Sequence, residues 1–234
     1  MATPYAMVLL DRTTSTQDDA RRLLGINPML VVAGGQTEGR GRSGAVWTNA
    51  PQALAASLAF RCEWPTDTWP RLTLIAGVVA ARVIGAGVGL KWPNDIVADG
   101  ADAAVGDERK VGGILTEAAD GVVVVGLGLN LFWPDPPEGV GAIFEVVPPS
   151  TEGGRLAQNW TEGMLSMLGA GPQSWPLDEY RRRCVTIGRS ITWAPAGLGQ
   201  AVDVDLSGAL VVDTTEGRVN LIAGAVREVR VAGS

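Results

Sequence analysis

Histidine is absent from this 234-residue chain, and cysteine is limited to Cys62 and Cys184. The first absence removes every Ser-His-Asp triad, His-metal site and HExxH motif. Two cysteines make neither a disulfide framework nor a zinc cluster. Lysine is scarce as well: Lys91 and Lys110 stand against 17 arginines. Either the two lysines mark places where a compact ammonium is needed, or they are chance survivors of a compositional bias. Positive charge is not in surplus, since the formal net charge is −6. That argues against a general nucleic-acid binder, which must displace counterions from phosphates, but it leaves room for a local basic site for a small phosphate ligand. Long hydrophobic runs are missing too. Leu72–Leu90 is broken by Arg82, and Gly121–Leu131 is too short to span a bilayer. Met1–Leu10 lacks a charged start and a long apolar stretch, so no signal peptide is expected, and a soluble cytoplasmic protein is the default.

What is present fits a globular protein. Apolar residues are 46% and charged residues 19% of the chain, which argues against disorder. The length suits one full-sized domain, or one with a small appendage, and can bury a sizeable core. The 31 Gly and 14 Pro follow no collagen-like period and read as turns and loops.

Residues 13–24 read as a helix start, with Ser15 or Thr16 as cap, Asp18 and Asp19 in the first turn, Arg21 and Arg22 in the last, and Gly25 as stop. Met29–Ala33 is a short apolar strand leading into Gly34–Trp47, a loop with five glycines and two arginines. Ala53–Phe60 reads as a buried strand and Trp69–Ile84 as a helix. Val88–Trp92 and Gly113–Glu117 read as strands around a polar hairpin loop, Ala98–Arg109. Val122–Leu129 is a strongly apolar strand, and Arg155–Leu168 and Leu177–Cys184 read as helices. After Gly188 the texture changes to short β-like runs: Ser190–Trp193, Ala201–Leu206, Ala209–Asp213, Arg218–Ile222 and Val226–Val231. An α+β domain to residue 187 and a small β barrel or sandwich over 188–234 are expected.

Five constellations can carry chemistry. In Gly39-Arg40-Gly41-Arg42-Ser43-Gly44, leading to Trp47, guanidinium groups and bare backbone N–H groups can converge on an anion, although a solvated surface loop explains the run equally simply. Lys91-Trp92-Pro93-Asn94-Asp95 follows a strand. Lys91 can neutralise phosphate, Asn94 has the donor-acceptor pair that reads an adenine edge, and Asp95 can hold Mg²⁺; a Pro-Asn turn is the plainer reading. In Lys110-Val111-Gly112-Gly113, the two glycines let a ligand lie against bare backbone while the ammonium meets its carboxylate; a hairpin exit with a solvated Lys is the alternative. Gly126-Leu127-Gly128-Leu129-Asn130 ends an apolar strand and is not a GxGxxG; close packing explains its glycines, and Asn130 can add a hydrogen bond to a base. Ser15, Thr16 and Gln36 offer neutral hydrogen-bonding groups to an uncharged polar ligand, and capping alone accounts for the first two.

Taken together, in this order and spacing, these segments resemble the biotin protein ligases (biotin–[acetyl-CoA-carboxylase] ligases). The resemblance runs over nearly the whole chain: STQ at 15–17, QTEGRGRSGAVW at 36–47, KWPND at 91–95, KVGGILTE at 110–117, GLGLN at 126–130, and more weakly the β tail from about 189. It implies a mixed α/β catalytic domain of the biotin/lipoate ligase type followed by a small SH3-like β barrel. With no DNA-binding domain expected before the ligase core, it implies the monofunctional kind.

The reaction implied has two steps and needs no enzyme nucleophile. Biotin's carboxylate attacks the α-phosphorus of Mg-ATP, giving biotinyl-5′-AMP, and a lysine of a biotin carboxyl carrier protein then takes the biotin and releases AMP. The resemblance places Arg40 and Arg42, with Gly39 and Gly41, in the loop over biotin and phosphate. It places Lys110, with Gly112, Gly113 and Gly128, at the biotin carboxylate, Lys91 at the phosphates, and Asp95 at Mg²⁺ or the incoming amine. Asn94 and Asn130 would read adenine with Trp47 packed beside it, and Ser15, Thr16 and Gln36 would hold the ureido ring. A homodimer through a sheet edge is possible on this reading, and nucleic acid and membrane are not expected partners.

Some positions depart from the family pattern. Ser43 and Ala45 stand where arginines are common, and Glu38 adds an acid, so looser retention of the adenylate is expected. Thr14 and Gln17 stand where Asp and Asn are common. The nearest rival is a lipoate- or octanoate-handling enzyme of the same superfamily, usually marked by an Arg-Arg…Gly-Gly-Gly loop with a following His-Asp. A non-catalytic biotin sensor is the other.

Overall fold

Alternation along the strands decides the architecture. In the computed structural model, which describes residues 4–45, 47–98, 108–222 and 229–231, the stretch AlaLeuAlaAlaSerLeuAlaPhe forms strand β3 (Gln52–Arg61). Successive side chains of a strand point to opposite faces. Leu54, Ala56, Leu58 and Phe60 therefore share one face, and Ala53, Ala55, Ser57 and Ala59 the other. Strand β7 (Val122–Phe132) repeats the division, with Val125, Leu127 and Leu129 on one side and Gly126, Gly128 and Asn130 on the other. The bulky face carries the main core, and the small-residue face is left with room.

These two strands sit at the centre of a seven-stranded sheet. Strands β1 (Ala6–Leu10) and β2 (Met29–Ala33) flank β3, and β6 (Arg109–Ala119), β5 (Asp95–Ala98) and β4 (Val88–Lys91) continue beyond β7, giving the order β1-β2-β3-β7-β6-β5-β4. The β1–β2 pair is parallel and the other pairs are antiparallel. Helices α2 (Arg71–Ile84) and α3 (Glu152–Ala170) cover the bulky face. They pack closely because Gly163 faces Val79, where any Cβ would lie 2.6 Å from Val79 Cγ1. Trp160 is fully buried there, its indole N–H donating to the Ala76 carbonyl; Trp160→Ala would cost about 3–5 kcal/mol. On the opposite face, helix α1 (Thr16–Leu23) covers only one end, over a small cluster of Ala20, Met29, Val31, Ala59 and Val124.

Beyond helix α4 (Leu177–Arg183), strands β8 (Ser190–Trp193), β9 (Gly197–Val204), β10 (Leu210–Thr214), β11 (Gly217–Leu221) and β12 (Val229–Val231) form a five-stranded antiparallel sheet in the order β11-β10-β9-β8-β12. The expected SH3-like barrel is met at the level of this small sheet; no closed barrel is detected among the described residues. Its inner side chains, among them Ile191, Val204, Leu210 and Val212, join the main core without a break. No helix among the described residues is long and apolar enough to cross a membrane.

The elements expected from the sequence are found, with instructive differences. β2 matches residue for residue, and Ser15 caps α1, its hydroxyl accepting from the Asp18 amide. α2 begins at Arg71 because Pro70 takes the position before it. β1 and β5 were not expected: each is short, and the turn-forming Pro93-Asn94 pair masks the start of β5. β9 begins four residues before the expected Ala201, at glycines that read as a turn. Gly199 is needed instead for close approach, since a Cβ there would lie 2.5 Å from the Asp213 carbonyl. Most of the expected loop Ala98–Arg109 and the start of Val226–Val231 lie outside the described residues.

Candidate active site

The open part of the small-residue face is a trough. Ala55, Gly128, Gly113 and Asp95 are register partners in turn across β3, β7, β6 and β5, and Ser57, Gly126 and Leu115 form the next row. Rows this small leave backbone bare. Over them lies a cavity of about 400 Å³, walled by the start of α1, the Gly-Arg loop, the turn after β4 and the glycine rows. That is a volume suited to a small ligand or cofactor.

Its inner wall is neutral and closely bonded. Gln36 Oε1 accepts from the Thr16 amide at 2.8 Å and from Thr16 Oγ1 at 3.0 Å. The Thr16 hydroxyl has one proton, so Ser57 donates the 2.8 Å bond between Ser57 Oγ and Thr16 Oγ1. Asn49 fixes Gln36 from behind, donating to its carbonyl at 2.7 Å. Thr16 and Ser57 are 2% and 0% exposed. Gln17 is also buried, its Nε2 donating to the Leu115 carbonyl while its Oε1 has no partner. Gln17 was noted only as the last residue of the STQ motif, standing where Asn is common, and Ser57 was not singled out from the sequence. Ser57 had a signal, a lone hydroxyl inside an apolar strand.

The mouth is charged. Arg40 makes a two-pronged ion pair with Asp18, at 2.7 and 2.8 Å, with Glu117 at 3.5 Å. This pairing raises the Arg40 pKa and holds the Asp18 carboxyl below its ordinary value. Lys110 Nζ meets Asp95 Oδ1 at 2.6 Å. Lys110 sits beside a β-bulge, where Val97 pairs with Lys110 but Ile96 with Gly112; on its other side its backbone bonds to Gly139 and Gly141. Bulges re-aim side chains next to functional sites, and here the neighbour is a lysine held from both sides. Arg42 is half-buried: burial lowers its pKa while Asp95 works against that shift. Lys91 lines the same cavity, so both lysines of the chain meet there.

Ser15, Thr16, Gln36, Arg40, Gly41, Arg42, Trp47, Lys91, Asn94, Asp95, Lys110, Gly113 and Gly128 all line the cavity. Three other candidates do not. Gly112 faces the core, where a Cβ would lie 2.6 Å from Leu129 Cδ2. Gly39 gives passage to Trp47, whose amide bonds back to the Gly39 carbonyl. Asn130 lies one register step beyond the glycine row, buried, with its amide donating to the Gly141 carbonyl. Asn94 is in the wall, but its amide donates to the Ile114 carbonyl at 3.0 Å while its own carbonyl accepts the Ile114 N–H. Both asparagines thus brace backbone. The Trp47 indole lies across the trough, with Cζ2 3.0 Å from where a Gly128 Cβ would stand, and its N–H is buried without a partner.

Asp95 is the one carboxylate in the lining, and no group of three His, Cys, Asp or Glu side chains gathers among the described residues. The turn carrying Lys91 and Asp95 is anchored from outside the cavity: the Trp92 amide donates to Thr186 Oγ1 and its indole N–H to the Gly208 carbonyl in the small sheet. Chemically, the arrangement can seat a neutral polar ring at the inner wall and one or more anions at the mouth.

Residues 9–130 match the biotin/lipoate A/B protein ligase family. A biotin–[acetyl-CoA-carboxylase] ligase of Mycobacterium tuberculosis is 32% identical over 250 residues, covering 94% of this chain and 87% of that protein. A bifunctional ligase/repressor BirA of Bacillus spizizenii is 37% identical over 138 residues, 53% of this chain and 40% of its own length. Among solved structures, the biotin protein ligase from Aquifex aeolicus in complex with biotin and ATP overlays with a TM-score of 0.80 at 20% identity, covering 97% of this chain and 99% of that one. At that identity the likeness speaks for the fold.

Proposed function

Because the chain belongs to the biotin/lipoate A/B protein ligase family, we propose that it activates biotin with ATP as biotinyl-5′-AMP and transfers the biotin to a lysine of a biotin carboxyl carrier protein, that of acetyl-CoA carboxylase, in the cytoplasm. The observation that carries this reading is the split cavity: a neutral, buried hydrogen-bonding wall at one end and both lysines with two arginines at the other.

A cyclic urea presents an N–H donor on each side of a carbonyl acceptor, and Ser15, Thr16 and Gln36 at the neutral wall would hold it. The acid's tail then runs to Lys110 beside the Trp47 indole, which lies over Gly113 and Gly128. In the first step a carboxylate oxygen bonds to the α-phosphorus as pyrophosphate leaves. Two anions must meet, and Lys110, Lys91, Arg40 and Arg42 lower their repulsion and hold them in line. In the second step a neutral carrier amine bonds to the acyl carbon and AMP leaves. Asp95 is placed to take a proton from that amine once the ligand has displaced it from Lys110.

A single carboxylate in a site with otherwise cationic groups fits Mg²⁺, which keeps most of its waters and binds mainly through phosphate oxygens. Asp95 is the residue that would hold it, and what it supplies is charge neutralisation on the triphosphate. Trp47 offers a flat surface for adenine, which Asn94 and Asn130 would read with the side-chain atoms their backbone bonds leave over, among them the unpartnered Asn130 Oδ1, while Gly39 and Gly112 support the site through close packing. The catalytic domain is taken as 1–187 and a C-terminal β domain as 188–234; its five short antiparallel strands support reading it as the family's SH3-like unit. The edge of β1, unpaired among the described residues, is the surface through which a homodimer would form.

Product analysis tests the reading. Purified protein is incubated with Mg-ATP and, separately, biotin, lipoate and octanoate, and acyl-adenylate and pyrophosphate are sought by mass spectrometry. Biotinyl-AMP alone is the expected result. Lipoyl- or octanoyl-AMP would move the protein to the other branch of its family, and no adenylate with any acid would remove the catalytic reading.

A further inference from the structure

The Gly-Arg loop is stitched to the segment before α1 in sequence order. The Thr13 amide bonds to the Gly35 carbonyl, the Thr37 amide to Thr13, and the Glu38 amide to Thr14. The next tie is Arg40 to Asp18, with each terminal guanidinium nitrogen donating to one carboxylate oxygen. Past Arg40 the backbone turns back on itself, with Gly41 bonded to Ala45, Ala45 to Arg42 and Trp47 to Gly39, before the Trp47 indole comes to rest on Gly128 and Gly113. Arg40 therefore stands at the junction where the ties to the segment around α1 end and the loop turns back on itself.

Asp18 does not line the cavity and has no place in the reaction just described. It is held ready for Arg40 all the same. Its backbone amide is engaged by the Ser15 cap, which fixes the first turn of α1. Its pairing with Arg40 has the fork-to-fork geometry that makes Arg–carboxylate pairs directional. Glu117, on β6, approaches the same guanidinium from the other side, and Arg21 bonds the Glu117 carbonyl, so helix, loop and sheet meet at one cation.

We propose that Asp18 is a positioning residue: its carboxylate holds Arg40 at the cavity mouth and sets how far the Gly-Arg loop departs from the body of the protein. The consequence for the proposed reaction, on whose truth only the kinetic readout rests, is that the loop keeps its substrate acid by staying tethered through Asp18.

The tie is tested without any substrate. Trypsin cuts after arginine, and the Arg40–Gly41 and Arg42–Ser43 bonds lie on either side of the junction. In ligand-free protein, Asp18→Asn is expected to speed nicking at these bonds about fivefold, while Asp18→Glu stays near wild type. Raising NaCl to 1 M, with trypsin activity normalised on a peptide substrate, brings wild type up to the Asn variant, because the screening length falls to about 3 Å. Equal nicking of wild type and Asp18→Asn overturns the proposal. So do cuts scattered along the chain, which would mean general loosening. In the adenylation assay Asp18→Asn is expected to raise the KM for biotin about fivefold with little change in kcat; an unchanged KM overturns the positioning role. A wild-type protein that makes no biotinyl-AMP would sink the functional reading and leave the nicking result to decide on Asp18.

Discussion

The inner wall of the cavity and its mouth are built from opposite materials. At the wall, Thr16 and Ser57 are buried and Gln36 half-buried, all three are neutral, and they are linked through Thr16 at 2.8–3.0 Å. At the mouth, Arg40, Lys110 and Asp95 are charged, their side chains 39%, 40% and 27% exposed, and paired with one another or with neighbouring acids. A buried neutral network is rigid and costly to leave half-satisfied, so it selects by donor and acceptor pattern. The Lys110–Asp95 pair is partly exposed, weak and exchangeable, so it can release its lysine to a ligand anion and take it back. One end is suited to recognition and the other to handling charge that appears and leaves.

The sharpest break in this comparison is at the mouth. Lys110→Ala is expected to lower adenylate formation about 100- to 1000-fold, the scale for loss of a group that stabilises developing charge, with little change in melting temperature since its ion pair is partly exposed. A folded Lys110→Ala protein with normal turnover would remove Lys110 from its role. At the wall, Thr16→Val deprives both Gln36 and Ser57 of a partner. The expected results are a roughly tenfold higher KM for biotin and a loss of about 1–3 kcal/mol in stability by denaturant unfolding. The two losses should also differ in kind. The ratio between wild type and Thr16→Val should hold between 0.1 and 0.5 M salt, whereas screening should compress a difference made at the mouth.

A smaller change adds charge instead of removing it. Ala45→Arg restores a cation to a loop that is poor in them, and should slow release of the adenylate about threefold in a chase experiment; an unchanged release rate would mean that loop charge does not set retention. The smallest effect on activity is expected far from both ends. Glu179 is hydrogen-bonded by Arg82 and by Arg183, which holds its pKa below the ordinary 4.5. A depressed carboxylate adds stability above its unfolded value and loses it as pH falls through the folded one. Glu179→Gln should therefore leave adenylation untouched, cost about 1 kcal/mol at pH 7, and differ progressively less from wild type as pH drops below about 4.5. Chemical denaturation at several pH values checks the convergence.

Much of the site was legible because its chemistry needs particular residue types at particular places. Scarce lysines, a Gly-Arg loop and a glycine-spaced strand end all stand out against the background of the chain, and Lys91, Lys110, Arg40 and Arg42 do meet at one cavity. The two asparagines were harder. As free side chains they suit a base edge, but one donates across 20 residues and the other across 11 to backbone carbonyls. Gly112 and Gly113 are adjacent, yet strand alternation gives one to the core and the other to the cavity. That distinction needs the register, which the bulge beside Lys110 shifts. Gln17 belonged to the STQ motif, but nothing local says that a first-turn amide will be buried.

The sequence by itself determined the inventory and the faces: which charges exist, which strands carry small residues on one side, and where the chain changes from helices and long strands to short ones. Those follow from residue type and from the two-residue period of a strand, both local. Only the tertiary structure decided the pairings. Asp18 finds Arg40 across 22 residues, and Trp92 reaches Gly208 across 116, tying the lysine-bearing turn to the far sheet. Contacts of that kind form when packing brings distant segments within about 3 Å, and no local preference specifies which partner will be there.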